Sequence, residues 1–358
     1  MSDNKIRCVG TREGTWFLVI LFISKILFSD ISGYVNHSGT AAYIQTAVCA
    51  VAVALIFVFT VSLTGGNTDI FEASRAAVGV TGAKAVGIIL TVLLLFDACV
   101  MMRVYTDIIS SIVLAESADL FIMLFLIAAV SFAAFAGVGV VAAYSYAVGI
   151  ILVVSLAVIL ILNIPNYDFT NIYPVLGNGI DKILTGWSGI GAYADLLLIY
   201  LITPYLTEET SIKRTGLKAI IISGVVITVT TLLYIMTVEY PFSKHLTLPI
   251  LEIAFDVNLD VVFQRAEGLF FFLWIFSGFI LIGAYICFSL LSFVRTFNLS
   301  DRRAPIGIFV LVASSIALAA GPSAQQGRLY ELFYTVFTAV AFILPILIFG
   351  IRKLRRGE

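Results

Sequence analysis

Residues 120–167 read LFIMLFLIAAVSFAAFAGVGVVAAYSYAVGIILVVSLAVILILNIPNY, 48 positions without an Asp, Glu, Lys or Arg. A helix rises 1.5 Å per residue, so the roughly 30 Å hydrocarbon core of a bilayer takes about 20 residues. The stretch is too long for one crossing and suits two, joined by a tight glycine turn near Gly137 and Gly139. Charge-free runs recur at 41–68, 219–238, 268–294, 304–327 and 332–351. Another, 14–24, opens a first span that Lys25 interrupts, and two further spans carry isolated charges, at 85–115 and 183–207. Ten spans result. Hydrophobic residues make up 61% of the chain and mean hydropathy is +1.08, against about half apolar for a soluble domain. The expected fold is all-α and polytopic, one integral membrane domain over 1–358.

The loops set the orientation. With the N-terminus in the cytoplasm, the inner side collects Lys5, Arg7, Arg12, Arg75, Lys84, Lys213, Arg214 and Lys218. Arg295, Arg302, Arg303 and the C-terminal Arg352, Lys353, Arg355 and Arg356 join them. That is fifteen of the chain's 21 Lys and Arg. Lys and Arg in short loops orient helices, so both termini are expected in the cytoplasm.

Few chemistries have residues to support them. The cysteines Cys8, Cys49, Cys99 and Cys287 fall in spans or on the inner side and imply no disulfide framework. CxxC, HExxH, GxxxxGK[ST] and nucleophile-elbow motifs are missing from the sequence. His37 and His245 lie in separate outer loops. A membrane enzyme is therefore disfavoured, and no metal, cofactor or nucleic-acid partner is expected.

Five helices per half make helix six enter from the side opposite to helix one. This is the geometry of an inverted repeat, with a first repeat over about 11–163, an outer loop at 164–182 and a second repeat over about 183–351. In such folds the ligand site lies at the midplane between discontinuous helices. Irregularities fall at corresponding places: around Ser24-Lys25 in helix one, and at Gly186-Trp-Ser-Gly-Ile-Gly191 in helix six.

Ionisable groups inside a membrane are expensive and mark function by default. Lys25 and Asp195 sit about halfway along helices one and six. They either form a polar pair beside a ligand cavity or pair elsewhere. Ser24, Lys25, Leu27, Gly189, Gly191 and Asp195 are the candidate cavity lining, where the N-terminus of a half-helix would favour a ligand carboxylate or hydroxyl. Helix three carries Asp97, Arg103 and Asp107. Arg103 and Asp107 are four apart and able to bridge, either stitching helices together or forming the polar wall of an ion path. Arg265 and Glu267, at the outer start of helix eight, either anchor a loop or extend that polar network. The outer segments 179–185 and 248–257 are candidate short helices, acting as lids or docking surfaces.

Three segments carry a family resemblance. NIYPVLGNGIDKILTG (171–186) resembles the signature outer loop of spore germination receptor B subunits. LPILEIAFDVNLDVVFQRAEGLFFFLWIF (248–276) is similar to that family's Pro-x-x-Glu stretch, Arg-x-Glu helix start and Trp, here Pro249, Glu252, Arg265, Glu267 and Trp274. MRVYTDIISSIVLAES (102–117) resembles its helix-three pattern at Arg103.

The resemblance extends over essentially the whole chain and implies a five-plus-five inverted repeat like that of the amino acid–polyamine–organocation transporters. It also implies a small-molecule site between helices one and six, and assembly with an A subunit and a lipoprotein C subunit in the spore inner membrane. Asp195 falls where the family often has an acidic residue. One departure stands out: ISKILF (23–28) places a lysine where relatives have a glycine-rich break, which points away from a plain zwitterionic amino acid as ligand. Two functions compete, a nutrient sensor that triggers germination and a secondary transporter of amino acids or organic cations.

Overall fold

The computed structural model describes residues 8–25, 31–112, 119–186, 188–246, 249–250, 253, 266–301, 303–322 and 327–356. Among these the chain is almost wholly helical. The longer helices are α1 (Thr11–Lys25), α2 (Ile31–Ser38), α3 (Ala42–Thr64), α4 (Ile70–Ile112), α5 (Asp119–Ala136) and α6 (Val138–Leu162). After the outer loop come three short pieces, α7 (Ile180–Thr185), α8 (Ser188–Gly191) and α9 (Leu198–Ile202). Then follow α10 (Ile212–Thr237), α11 (Ala266–Phe297), α12 (Ile306–Ala319) and α13 (Gly327–Arg356).

Among the described residues, seven helices are long and apolar enough to cross a membrane, and Ala194–Tyr205 and Ile306–Ala319 are apolar but shorter. A count of ten rests on taking the short and interrupted helices as crossings. The surface is that of a protein dissolved in lipid: Leu55, Phe59, Phe132, Val154, Ile161, Ile221 and Ile308 point outward and exposed. Such a continuous apolar exterior would not persist in water.

Helix α1 occupies the centre. It is apolar around its whole circumference, and every residue from Phe17 to Lys25 is buried, as expected of a helix surrounded by others. It packs against α6, α10 and α11. The glycine turn joining α5 and α6 is the single residue Gly137, whose φ of 85° is readily adopted only by glycine. A second break occurs at Gly79 (φ 75°, ψ −176°), which sets residues 70–78 apart from the spanning part of α4.

Helix six is interrupted within the described residues. Helix one runs without a break through the Ser24-Lys25 step, and its described part ends at Lys25. Helix six never builds a long regular run. A turn follows α8, residues Ala194–Leu197 and Thr203–Tyr205 are 3₁₀, and only the five residues of α9 are α-helical between them.

The outer loop is fastened down. Asn178 N donates to Ser38 O at 3.1 Å, Asp168 N to Met236 O at 2.9 Å, and Thr40 Oγ1 to Pro174 O. The Asp168 carboxylate accepts from both Thr170 Oγ1 and Thr170 N, which holds it below the usual carboxylate range. The outer helix expected at 179–185 forms as α7 behind Gly179. The one expected at 248–257 falls largely outside the described residues; Ile250 and Ile253 within it are buried.

Candidate functional site

Lys25, the last residue of α1, extends its ammonium into the middle of the bundle. Nζ lies 3.0 Å from Asp97 Oδ2 on α4 and 3.2 Å from Asp195 Oδ1 in the 3₁₀ stretch of helix six. All three are buried, Lys25 at 6% exposure and both aspartates at 0%. Tyr285 Oη, from α11, donates to Asp195 Oδ1 at 2.7 Å. The rings of Tyr285, Phe337 and Tyr334 stand 4.9, 5.1 and 5.6 Å from Nζ, within the distance at which a ring face attracts a cation. One point thus ties helices one, three, six, eight and ten together.

The local backbone explains why Asp195 reaches it. A 3₁₀ segment has three residues per turn, so the direction of side chains departs from that of the flanking α-helix. The flanking glycines do different work. A Cβ on Gly189 would meet Cys49 Sγ at 2.7 Å and Tyr34 at 3.2 Å; one on Gly191 would meet Thr338 Oγ1 at 2.8 Å. Their missing side chains allow helix six to sit tightly on α3 and α13. Gln45 Nε2 donates to Gly186 O at 3.1 Å and draws its outer start onto α3 as well.

Other candidates separate into groups. Ser24 is buried beside Lys25, with Tyr105 as its polar neighbour. Leu27 lies outside the described residues. Asp97 does not belong with Arg103 and Asp107: six helical residues place Asp97 and Arg103 on faces about 120° apart. Arg103 instead bridges Asp107 and also Asp119, at the start of α5, forming a second, more exposed network where α4 meets α5. Arg265 lies outside the described residues, and Glu267 is in the first turn of α11 with its side chain likewise outside them. Trp274 is buried and stacks on Tyr105, with ring centroids 4.5 Å apart.

Reading the sequence did not identify Tyr285, Tyr334, Phe337 or Asp119 as partners of these charges. A signal for Asp97 was present, as an isolated carboxylate in an otherwise apolar stretch. The tyrosines gave none, because fifteen are scattered through the chain.

The arrangement can hold a cationic side chain between two carboxylates and screen it from lipid. It is closed: Lys25 and both aspartates are buried among the described residues.

Residues 15–323 match the model of a family described as Spore germination protein. A curated relative, Spore germination protein KB of Bacillus subtilis (strain 168), is 23% identical over 212 residues. That match takes in 57% of this chain and 57% of the relative's own length. The fold is similar to a solved structure of Mhp1, a nucleobase-cation-symport-1 family transporter, in a closed conformation with bromovinylhydantoin bound. The TM-score is 0.62 at 12% identity, covering 94% of this chain and 76% of that one. At such low identity the likeness concerns the fold, and fold alone does not fix function.

Proposed function

Because this chain belongs to the spore germination protein family, with a transporter-like fold embedded in a membrane, we propose that it is the nutrient-sensing membrane subunit of a germinant receptor. The observation that carries the reading is the Lys25–Asp97–Asp195 cluster, buried where the end of α1 meets the broken helix six. A small nutrient, an amino acid or similar molecule, binds next to it in a state more open than the one described. Ser24, Lys25, Leu27, Gly189, Gly191 and Asp195 contribute to or support that site. Binding shifts the balance between closed and open forms by its difference in affinity for the two.

In this reading the protein works with an A subunit and a lipoprotein C subunit in the spore inner membrane, both termini in the cytoplasm. Arg103, Asp107, Arg265 and Glu267 form the outer polar region through which an ion would approach. The lysine supplies a fixed charge at the centre, which favours ligands other than a plain zwitterion.

The test is germination. A strain lacking this gene is complemented with wild type or with Lys25→Met and exposed to a panel of single nutrients. Wild type is expected to restore the response to at least one of them. Lys25→Met should reach the membrane in normal amount and fail to restore it. A full response from Lys25→Met would overturn the role of the cluster. Concentrative uptake of a labelled substrate by the isolated protein, without any germination phenotype, would replace the sensor with a secondary transporter.

A further inference from the structure

The central cluster contains two carboxylates and one ammonium. Asp97 comes from α4, Asp195 from helix six and Lys25 from α1. The titratable groups around them are Tyr285 of α11 and Tyr334 of α13, with Cys99 near Asp97 and Tyr105 near Ser24, both on α4. None of these is positively charged at neutral pH. Arg103 is engaged by Asp107 and Asp119. The link between α1 and α2 reads Ile26-Leu-Phe-Ser-Asp30 and contains no cation. Among the described residues, therefore, nothing supplies the second positive charge that full ionisation requires.

A net charge of −1 enclosed in an apolar bundle costs several kcal/mol even after the protein relaxes, and such groups become neutral instead. The hydrogen bonding agrees independently with the charge count. Each carboxylate turns one oxygen to Lys25. The other two, Asp97 Oδ1 and Asp195 Oδ2, are buried and have no hydrogen-bond partner.

We propose that the closed centre binds one proton, shared by the Asp97 and Asp195 carboxylates, and that this proton is a ligand of the closed state. The step is simple in its balance: a proton from water adds to a carboxylate oxygen, giving one carboxylic acid beside one ammonium–carboxylate pair. The cluster then has no net charge. Because the two sites are coupled, the proton belongs to the pair. When the centre opens to water, both aspartates are solvated and the proton leaves. The closed form therefore holds one more proton than the open form, and raising pH favours opening by up to about tenfold per pH unit. This does not depend on the nutrient reading, since it follows from charge and burial alone.

The test is infrared spectroscopy of the purified full-length protein in lipid nanodiscs at neutral pH. It looks for the carbonyl stretch of a protonated carboxylic acid, assigned to aspartate by 13C-aspartate labelling of the wild type. One protonated aspartate per chain is expected. Asp97→Asn and Asp195→Asn each leave a neutral ammonium–carboxylate pair and should abolish the band. Lys25→Met removes the cation and should raise the band to two protons. A labelled wild type with no such band would overturn the proposal, and that measurement needs no variant to fold. So would a band that survives both Asp→Asn changes. A band that disappears when sodium replaces choline at constant pH would show that the site takes a metal cation instead.

Discussion

At Asp195 two interactions converge on the same oxygen: the Lys25 ammonium at 3.2 Å and the Tyr285 hydroxyl at 2.7 Å. The hydroxyl can be removed without removing the ring. Tyr285→Phe keeps the aromatic face 4.9 Å from Nζ and deletes only the donor. A hydrogen bond to a charged acceptor is worth about 1.5–3 kcal/mol, so the melting temperature of the purified variant should fall measurably. An unchanged melting curve would mean that this bond adds nothing to the cluster. How far these contacts can be read from sequence differs by residue. Lys25, Asp97 and Asp195 stand out as single charges in apolar runs, and the six-residue spacing already separates Asp97 from Arg103. That one lysine should join both aspartates depends on how α4 lies against α1, which no local pattern encodes. Asp119 reaches Arg103 only because α5 folds back beside α4.

Between elements, the closest approach near the cluster is that of α4 and α11. A Cβ on Gly278 would fall 1.9 Å from Tyr105 Cε1, so the tyrosine ring lies directly on the glycine backbone and stacks on Trp274, four residues earlier. Close contact of this kind is how helices associate in lipid, where hydrophobic exclusion from water does not drive them together. Gly278→Ala should force the ring aside and destabilise the protein by about 1–3 kcal/mol. The tryptophan emission should shift as the stack is lost, and a variant with wild-type stability and emission would refute this packing account. Glycines show the limit of reading elements from sequence. The turn at Gly137 was legible, since a 48-residue apolar run must break somewhere near its middle. The kink at Gly79 was not, because it lies ahead of the apolar spanning run, where hydropathy sets no constraint on where the helix must break. Gly189 and Gly191 look like helix breakers in the sequence, yet their lack of a side chain serves packing.

Across the whole molecule, helices one and six are tied together at the ends that hold Val9 and Tyr205. Val9 N donates to Tyr205 O at 2.7 Å, and Thr207 N donates to Val9 O at 3.1 Å. The chain entering helix one thereby forms a parallel β-bridge at Leu206 with the chain leaving helix six. Gly14 packs against Thr215 just above it. Access to the centre from this side of the membrane requires these ends to part. Backbone bonds contribute only about 0.5–1.5 kcal/mol each, so the latch is firm enough to bias a switch and weak enough to be released. Neighbouring strands lie about 4.8 Å apart, inside the Cα separation that a disulfide spans. In a Cys8→Ser background, Val9→Cys combined with Leu206→Cys should crosslink on mild oxidation, while the buried Cys49, Cys99 and Cys287 stay apart. If the inner ends must separate for signalling, the crosslinked protein loses its nutrient response and regains it on reduction. A verified crosslink that leaves the response intact would place the moving parts elsewhere, at the outer loop or between α4 and α5.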